Sequence, residues 1–411
     1  MTAIALLNAE LEPHLVADTL LTADGVDQRP DSRTWLPALG MVPTNYQFGE
    51  KAMHLSRLAR KTFILPCGSG VLAFAGDVSD AVCFWKALSE RVLGSVAYGG
   101  SARVEPHHLE TLRVNFPDVF RELSLLGVLV DPLGKLTPFV HNARLVETQN
   151  FGACYVAGSG DQLLEEIIRS VDLHLSANWW PVGYPMTATE DLAEHISTAM
   201  LYRESDFRNG LADDTPLALR CGGLFEWYRI TKAGVSHMQP RLDLHVQRID
   251  ESLVITRAYW IEMRKRRELL DGALPAQMYQ LHIMLLGAQF ESVSAARSPG
   301  EARAVRFRHG HGALMEPAWH HYSQAEGDLS EAPGLGREYH APLSKSVLEA
   351  CLPHRVDVGR VRVVFEERGR RPIVKRILTR QREKFRVGIS PTTGGVKLWL
   401  SGTVLDHLQG I

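Results

Sequence analysis

The N-terminal stretch constrains the fold most, because it combines a strand-like start with a residue that can carry chemistry. Two apolar runs, 3–7 and 15–22, flank the polar turn 10–14, which contains a proline. This pattern predicts a β-hairpin whose first strand begins at the chain start. An initiator Met1 before a residue as small as Thr2 is normally removed. Thr2 would then hold a hydroxyl nucleophile beside its own α-amino group, on an ordered strand rather than a frayed terminus.

The spacing of polar residues around this hairpin is specific. Asp18 follows Thr2 by sixteen residues, and Thr22 follows Asp18 by four. Both spacings resemble the start of a proteasome β-subunit or one of its bacterial relatives, in which a mature N-terminal threonine is followed by an aspartate and a threonine at these distances. Because one hairpin could match by chance, the resemblance also depends on three further stretches of the sequence.

Three more stretches are similar to the same family and occur in its order. The segments 60–66 and 71–81 place a lysine at the start of a strand, then a turn, then a strand ending in an Ala-Gly pair before a helix. The segment 153–161 resembles the family's strand ending in Gly-Ser-Gly. The segment 221–228 is similar to its Ser-Gly-Gly followed by a late strand. The resemblance covers about residues 2–232.

The resemblance implies a fold and a division of the chain. Residues 2–232 are expected to form a four-layer αββα sandwich of the N-terminal-nucleophile (Ntn) hydrolase type. Residues 235–411 resemble no family that we recognise and are expected to form an additional C-terminal α+β domain, with a role in assembly or partner binding. A length of 411 residues suits two domains.

The resemblance also assigns catalytic roles. Thr2 would be the nucleophile, and its own amine would take the proton. Lys61, if adjacent, would lower the pKa of that amine by like-charge repulsion, and Asp18 would hold Lys61 charged and oriented. The backbone N–H of Gly76 would face the developing oxyanion, and Ser159 would hydrogen-bond near the Thr2 amine. Together these residues imply a threonine-type endopeptidase that needs no cofactor.

Substrate recognition follows from the same resemblance. An unfolded protein or short peptide would bind as an added strand, with main-chain pairing to Thr22 and to the strand that ends at Gly76. Leu21, Phe74 and Val78 would line the first specificity pocket, which favours an apolar residue before the cut. The family also implies self-compartmentalisation in a homo-oligomeric ring.

Two positions depart from the family and keep alternatives open. Ala218 stands where the family has an aspartate, and Cys221 stands where it has the serine of Ser-Gly-Gly. Asp213 or Asp214 on the preceding turn could substitute for the missing carboxylate. The alternatives are a catalytically weak or silent assembly or binding module, and an amidase that acts on a small molecule.

Composition excludes several other classes. The net charge of −2 gives no overall attraction to nucleic acid or to anionic membranes. The sequence lacks the long apolar run of a transmembrane helix and the basic start of a signal peptide. The five cysteines are odd in number and show no CxxC spacing. They indicate reduced thiols and a cytoplasmic protein without membrane association.

Local periodicity predicts the elements of the first domain outside the motifs. Helices are expected over 78–96 with Ser79 or Asp80 as the N-cap, over 107–123 with an interruption at a proline, over 162–175 and over 190–202. Segment 23–60 is rich in Gly and Pro and longer than its counterpart in the family. It is interpreted as a loop beside the active-site mouth.

The C-terminal part has a different character. A basic helix is predicted over 258–270 and an apolar helix over 277–290, whereas 294–345 is interpreted as loop. Segment 355–386 alternates Val, Ile and Phe with Arg and holds twelve Lys and Arg against four Asp and Glu, an excess of eight positive charges. This segment is either the wet face of a strand or a surface for an acidic partner or nucleic acid. His309, His311, His320 and His321 lack a Cys or carboxylate at ligand spacing, so no metal site is expected.

Overall fold

The computed structural model describes residues 2–28, 32–36, 40–48, 50–176, 189–206 and 216–237, followed by strands between residues 241 and 400. The chain divides into two compact units. The first comprises Met1–Met238, Arg267–Met278 and Gln324–Gly336, and the second comprises Gln239–Arg266, Tyr279–Ser323 and Arg337–Ile411. The first segment of the first unit therefore ends a few residues beyond the domain end predicted at residue 232, and two later segments belong to the same unit.

Within residues 2–237 the described elements, in chain order, are the strands β1 (Ile4–Leu7), β2 (His14–Asp18), β3 (Leu20–Asp24), β4 (Arg33–Leu36), β5 (Gly40–Pro43), β6 (Asn45–Phe48), β7 (Lys51–Leu58), β8 (Thr62–Ile64) and β9 (Gly70–Ala75), the helices α1 (Val78–Ala97), α2 (Pro106–Asn115) and α3 (Pro117–Glu122), the strands β10 (Ser124–Val130), β11 (Leu136–His141), β12 (Arg144–Glu147) and β13 (Ala153–Ala157), the helices α4 (Asp161–Ser176) and α5 (Thr189–Asp206), and the strands β14 (Phe225–Thr231) and β15 (Gly234–His237).

One six-stranded sheet contains the N-terminal hairpin. Its strand order is β12-β13-β1-β2-β14-β15, and neighbouring strands are antiparallel. The predicted hairpin is confirmed, because Ile4 pairs with Ala17 and Leu7 with His14. Every residue of β1 and β2 is buried, as expected for central strands that are covered on both faces.

A second sheet packs face to face against the first. Its order is β11-β10-β9-β8, and β9 and β10 contact β1 and β2 or their neighbours across the interface. The other face of this sheet carries α1, α2 and α3 on an apolar cluster in which Phe63 stacks on Trp85, with ring centroids 4.5 Å apart. On the far side of the first sheet, α4 packs on β12, β13 and β1, and α5 packs on β2 and β14. The layers therefore run helix, sheet, sheet, helix.

The helix predictions for this unit hold, with one correction at a cap. A break at Pro117 separates α2 from α3, because proline lacks the N–H that a continuing helix needs. The N-cap of α1 was expected at Ser79 or Asp80 and is instead Asp77, whose Oδ1 accepts from the Ser79 N–H at 2.6 Å. The N-cap residue therefore directly follows Gly76 of the Ala-Gly pair at the end of β9.

The interpretation of segment 23–60 as a loop is wrong. Most of it forms antiparallel strands, with β3, β7 and β6 in one three-stranded sheet and β4 paired with β5. Met53 and Leu55 of β7 are buried, whereas His54 and Ser56 are more exposed, which is the period-two pattern of a strand. We call the sheet of β3, β7 and β6 the ribbon.

The described residues of the second part form strands, namely β16 (Arg241–Ile249), β17 (Ser252–Glu268), β18 (Ala276–Gly287), β19 (Ser292–Val293), β20 (Arg303–Arg308), β21 (Ala318–Ala325), β22 (Glu338–Pro342), β23 (Val356–Val358), β24 (Arg360–Glu366), β25 (Ile373–Leu378), β26 (Val387–Thr392) and β27 (Gly395–Leu400). One sheet has the order β22-β21-β18-β17-β16-β24-β25, with β19 beside β17. A second has the order β20-β27-β26-β23. The strands β16 and β24 are parallel.

Both helices predicted in the C-terminal part are wrong. Residues 258–268 belong to β17 and residues 277–287 to β18, so the described residues of an expected α+β domain carry strands and no helix. Residues 279, 281, 283 and 285 are all apolar, a period-two signal that favours a strand over a helix. The interpretation of 294–345 as loop is wrong at β20, β21 and β22.

No helix in the described part of the chain is long and apolar enough to cross a membrane.

Candidate functional site

The site is built around a buried ion pair between two sheets. Asp18 is the last residue of β2, and Lys61 immediately precedes β8. The Lys61 Nζ lies 2.9 Å from the Asp18 Oδ1, and both side chains are 0% exposed. Removing two charges from water costs several kcal/mol per ion, so such a pair persists only with good geometry and further hydrogen bonds.

Backbone donors provide those further bonds to Asp18. Its Oδ1 also accepts from the Ala3 N–H at 2.9 Å, and its Oδ2 accepts from the Gly222 N–H at 2.9 Å. The Asp18 N–H in turn donates to the Ala3 carbonyl at 3.0 Å. One carboxylate therefore joins Lys61, the residue after Thr2, and the Cys-Gly-Gly turn.

Thr2 is buried beside the turn that follows β13. The residue is only 1% exposed, and its carbonyl oxygen accepts from the Gly160 N–H at 3.3 Å. Gly158 has a φ of +93°, and a Cβ there would lie 2.0 Å from the Thr2 oxygen. Only glycine allows this approach, so the Gly-Ser-Gly turn fixes the position of Thr2.

The structure places Ser159 and Gly76 near this turn with defined partners. The Ser159 hydroxyl, expected near the Thr2 amine, donates to the Leu219 carbonyl. Gly76 has a φ of +124°, and a Cβ there would lie 2.5 Å from the Glu122 oxygen. Ala75, the residue before Gly76, has its Cβ 3.1 Å from the Cβ position of Gly158 and thereby adjoins the turn that holds Thr2.

The proposed pocket residues lie at different depths. Leu21 is 8% exposed, and Thr22 and Val78 are half-buried. Phe74 is 0% exposed and packs on Phe63 with ring centroids 5.5 Å apart. It lies in the apolar cluster beneath α1, so it could form only the floor of a pocket that Val78 borders.

The two departures from the family pattern lie on the turn that follows residue 216. Cys221 is buried, and burial, followed by the negative charge of Asp18, raises the pKa of its thiol well above the usual range. The thiol is therefore neutral. Ala218 provides no carboxylate, and Asp213 and Asp214, the suggested substitutes, lie outside the described residues.

A carboxylate that the sequence analysis missed reaches the same turn from α5. Glu204 is 1% exposed, and its Oε2 accepts from the Gly223 N–H at 3.3 Å. Burial, followed by the charge of Glu204, raises the pKa of Tyr46 in the ribbon to about 12. Glu204 lies two residues beyond the helix predicted over 190–202, so the sequence did not place it on the i, i+4 row of buried Ile196 and Met200 that α5 continues.

Metal binding has no support in the described part of the chain, which shows no group of three or more His, Cys, Asp and Glu side chains that could hold an ion. Of the four histidines considered, His309 and His311 lie outside the described residues, and His320 and His321 lie on β21.

No family model matches the chain, and no curated protein matches it.

Proposed function

We propose that this protein is a threonine-type endopeptidase whose nucleophile is Thr2 after removal of Met1. The observation that carries the proposal is the buried pair of Lys61 and Asp18, because the same carboxylate that holds Lys61 also binds the Ala3 N–H next to Thr2. Asp18 thus links the charged Lys61 to the strand residue that follows the proposed nucleophile. The layer order of that unit agrees with the sandwich of an N-terminal-nucleophile hydrolase.

In the proposed reaction the Thr2 Oγ attacks the peptide carbonyl and its proton passes to the α-amine, directly or through a water. A free α-amine titrates near pH 7.7–8.0, and a neighbouring Lys61 lowers that pKa so that more of it is neutral at pH 7. The Gly76 N–H stabilises the oxyanion. The C–N bond breaks, the amine leaving group takes the proton, and a water then hydrolyses the ester, returning Thr2.

The substrate class is peptide or unfolded protein. The strand β3 is an edge of the ribbon, and an extended chain could pair with it at Thr22 and with the backbone at Gly76. Leu21, Phe74 and Val78 would favour an apolar residue before the cut. Assembly into a homo-oligomeric ring belongs to the same proposal, as does a cytoplasmic location, which the cysteine pattern supports.

The test combines processing and chemistry. Intact mass and N-terminal sequencing of the purified protein should show Thr2 as the terminus. A peptide boronate or epoxyketone should form an adduct at Thr2. Thr2→Ala should abolish hydrolysis of an apolar peptide and leave the fold intact, whereas Thr2→Ser should retain some activity. Thr231→Ala, at the end of β14, is the matched control. An active Thr2→Ala variant would refute the mechanism.

The competing proposal is a catalytically silent assembly or binding module. It is favoured by Ala218 and Cys221, which depart from the family pattern, and by the bond of the Ser159 hydroxyl to a backbone carbonyl. A processed N-terminus that forms no adduct with either reagent would favour the silent module. An adduct with turnover of small amides but not of peptides would favour the small-molecule amidase.

A further inference from the structure

Four buried polar side chains, two of them from the chain neighbours of Lys61, form a group that takes no part in the reaction above. They are Arg60, Thr62, Glu226 and Tyr228, each at most 5% exposed. Arg60 and Thr62 flank Lys61 at the start of β8, and the other two lie on β14, in the opposite sheet. We call this group the inter-sheet cluster.

Short contacts join the cluster across the two sheets. The Glu226 Oε2 accepts from the Thr62 Oγ1 and from the Tyr228 hydroxyl, both at 2.9 Å. The Arg60 Nη2 donates to the Tyr228 hydroxyl at 2.8 Å and to the Thr62 Oγ1 at 3.3 Å. The Arg60 Nε lies 3.3 Å from the Glu226 Oε1 as an ion pair. Both neighbours of Lys61 are thereby bound to the same residues of β14.

A buried polar cluster of this kind is a weak source of stability. Among the described residues, the Arg60 Nη1 has no hydrogen-bond partner, and the contact between the Arg60 Nε and the Glu226 Oε1 lacks hydrogen-bond alignment. A buried network that is only partly satisfied is less favourable than an apolar core. Replacing buried ion pairs by apolar residues of similar volume is often neutral or stabilising. Its bonds hold both chain neighbours of Lys61 against β14 in one arrangement.

That geometry bears on the catalytic pair. Glu226 pairs with Ala17 and Phe225 pairs with Asp18 in the register of β14 with β2. The strand β8, which begins directly after Lys61, is thus bound to β14, the immediate neighbour of the strand that ends at Asp18. We infer that the inter-sheet cluster is a positioning device that sets where Lys61 lies relative to Asp18 and to the Thr2 amine. This inference rests on the proposed role of Lys61.

The sharpest test uses two nearly isosteric substitutions, Thr62→Val and Tyr228→Phe, in the full chain. Each removes one hydroxyl from the cluster and changes the side-chain volume little. Tyr155→Phe on β13 is the matched control. We expect both cluster variants to fold, to lose about tenfold to a hundredfold in kcat, and to keep their KM, because a misplacement of about 1 Å can cost that much.

The pH profile separates positioning from packing. A Lys61 that moves away from the Thr2 amine depresses the pKa of that amine less. The acid limb of the profile of kcat/KM should then shift to higher pH, because more base is needed to deprotonate the amine. A merely structural role would lower the amount of folded protein without shifting this limb.

A readout independent of activity keeps the inference separable from the proposed function. Lys61 is fully buried, so an amine-acylating reagent should label it slowly in the wild type and faster in both cluster variants, whereas exposed Lys135 should be labelled equally in all. If the wild type is inactive and forms no Thr2 adduct, the peptidase proposal fails, and labelling of Lys61 still decides the inference. Should either single variant unfold, the double variant Arg60→Met/Glu226→Leu carries the same test. Wild-type kcat, pH profile and Lys61 labelling in the folded variants would overturn the inference.

Discussion

Replacing Lys61 by methionine removes the cation that the buried Asp18 faces and leaves a side chain of similar length. Breaking a buried ion pair by removing one partner typically costs about 3–5 kcal/mol, because the other charge stays buried and uncompensated. After Lys61→Met, Asp18 retains the N–H donors of Ala3 and Gly222, so we expect a loss near 3 kcal/mol. Asp18→Leu removes the acceptor of those two donors and the anion that faces the buried Lys61 ammonium, so we expect a loss of about 5 kcal/mol.

The double variant Lys61→Met/Asp18→Leu provides the control. It buries no unpaired charge from this pair, so it should be less destabilised than the sum of the single variants and less than Asp18→Leu alone. The loss of stability in the double variant minus the sum of the two single-variant losses is the coupling energy of the pair. None of the three variants should hydrolyse peptide, which separates the stability of the site from its chemistry.

The assay is native-state hydrogen exchange of peptides from β1 and β2, read by mass spectrometry. A chain with two units need not unfold in one step, so a local readout is preferable to a single melting temperature. For amides that exchange through unfolding of this unit, losses of 3–5 kcal/mol correspond to roughly 150-fold to 5,000-fold faster exchange. Additive single variants, or an Asp18→Leu no worse than Lys61→Met, would refute the reasoning that the pair is dry and mutually compensated.

Three further predictions concern separate features. Gly158→Ala should block adduct formation at the proposed nucleophile and destabilise the first unit. Gly94→Ala in α1 is the control: its added Cβ would meet no atom of another element within 4 Å, so it should stabilise the first unit by up to about 1 kcal/mol. Burial lowers the pKa of His14, so the unfolded chain binds its proton first. The free energy of unfolding should then fall as pH drops below about 6.5, and His14→Gln should flatten that slope in urea titrations at pH 5–8. Arg362 and Arg376 occupy paired positions of β24 and β25, so neutralising both should weaken assembly or binding of an acidic partner or nucleic acid at about 0.1 M salt but not at 1 M, by light scattering and shift assay.

The elements that sequence alone predicted are those whose determinants are local. The N-terminal hairpin follows from two apolar runs around a proline turn, and the break between α2 and α3 follows from Pro117. The strand β17 was mistaken for a helix because a run of Arg and Lys at its end masked the β-branched and aromatic residues before it. Its conformation as a strand is set by antiparallel pairing with β16, which begins between residues as close as Ile249 and Ser252, so a hairpin pattern in the sequence was missed here.

The residues of the candidate site likewise fall into those that the sequence predicted and those that it did not. The spacing of Thr2, Asp18 and Lys61 could be read directly, and the structure brings the last two together. Glu204 and the inter-sheet cluster could not be identified in the same way, because a charged residue in a sequence gives no sign that the fold will bury it. Such burial is decided by tertiary contacts, which in the inter-sheet cluster join residues more than a hundred positions apart, as between Arg60 and Tyr228.

We expect the ribbon to make the chain tolerant of insertion at one particular place. Strand β3 begins shortly after Asp18 and strand β7 ends shortly before Lys61, and the Ala59 N–H donates to the Thr19 carbonyl at 2.7 Å at that end of the pair. That closure fixes the spacing of the two strands at their base, whatever length of chain lies between Asp24 and Lys51. Because the entropy cost of a longer loop grows only logarithmically, a reporter domain or affinity module could be grafted there while the ion pair stays in register. The same graft between Thr19 and Leu21 would separate the strands from the site.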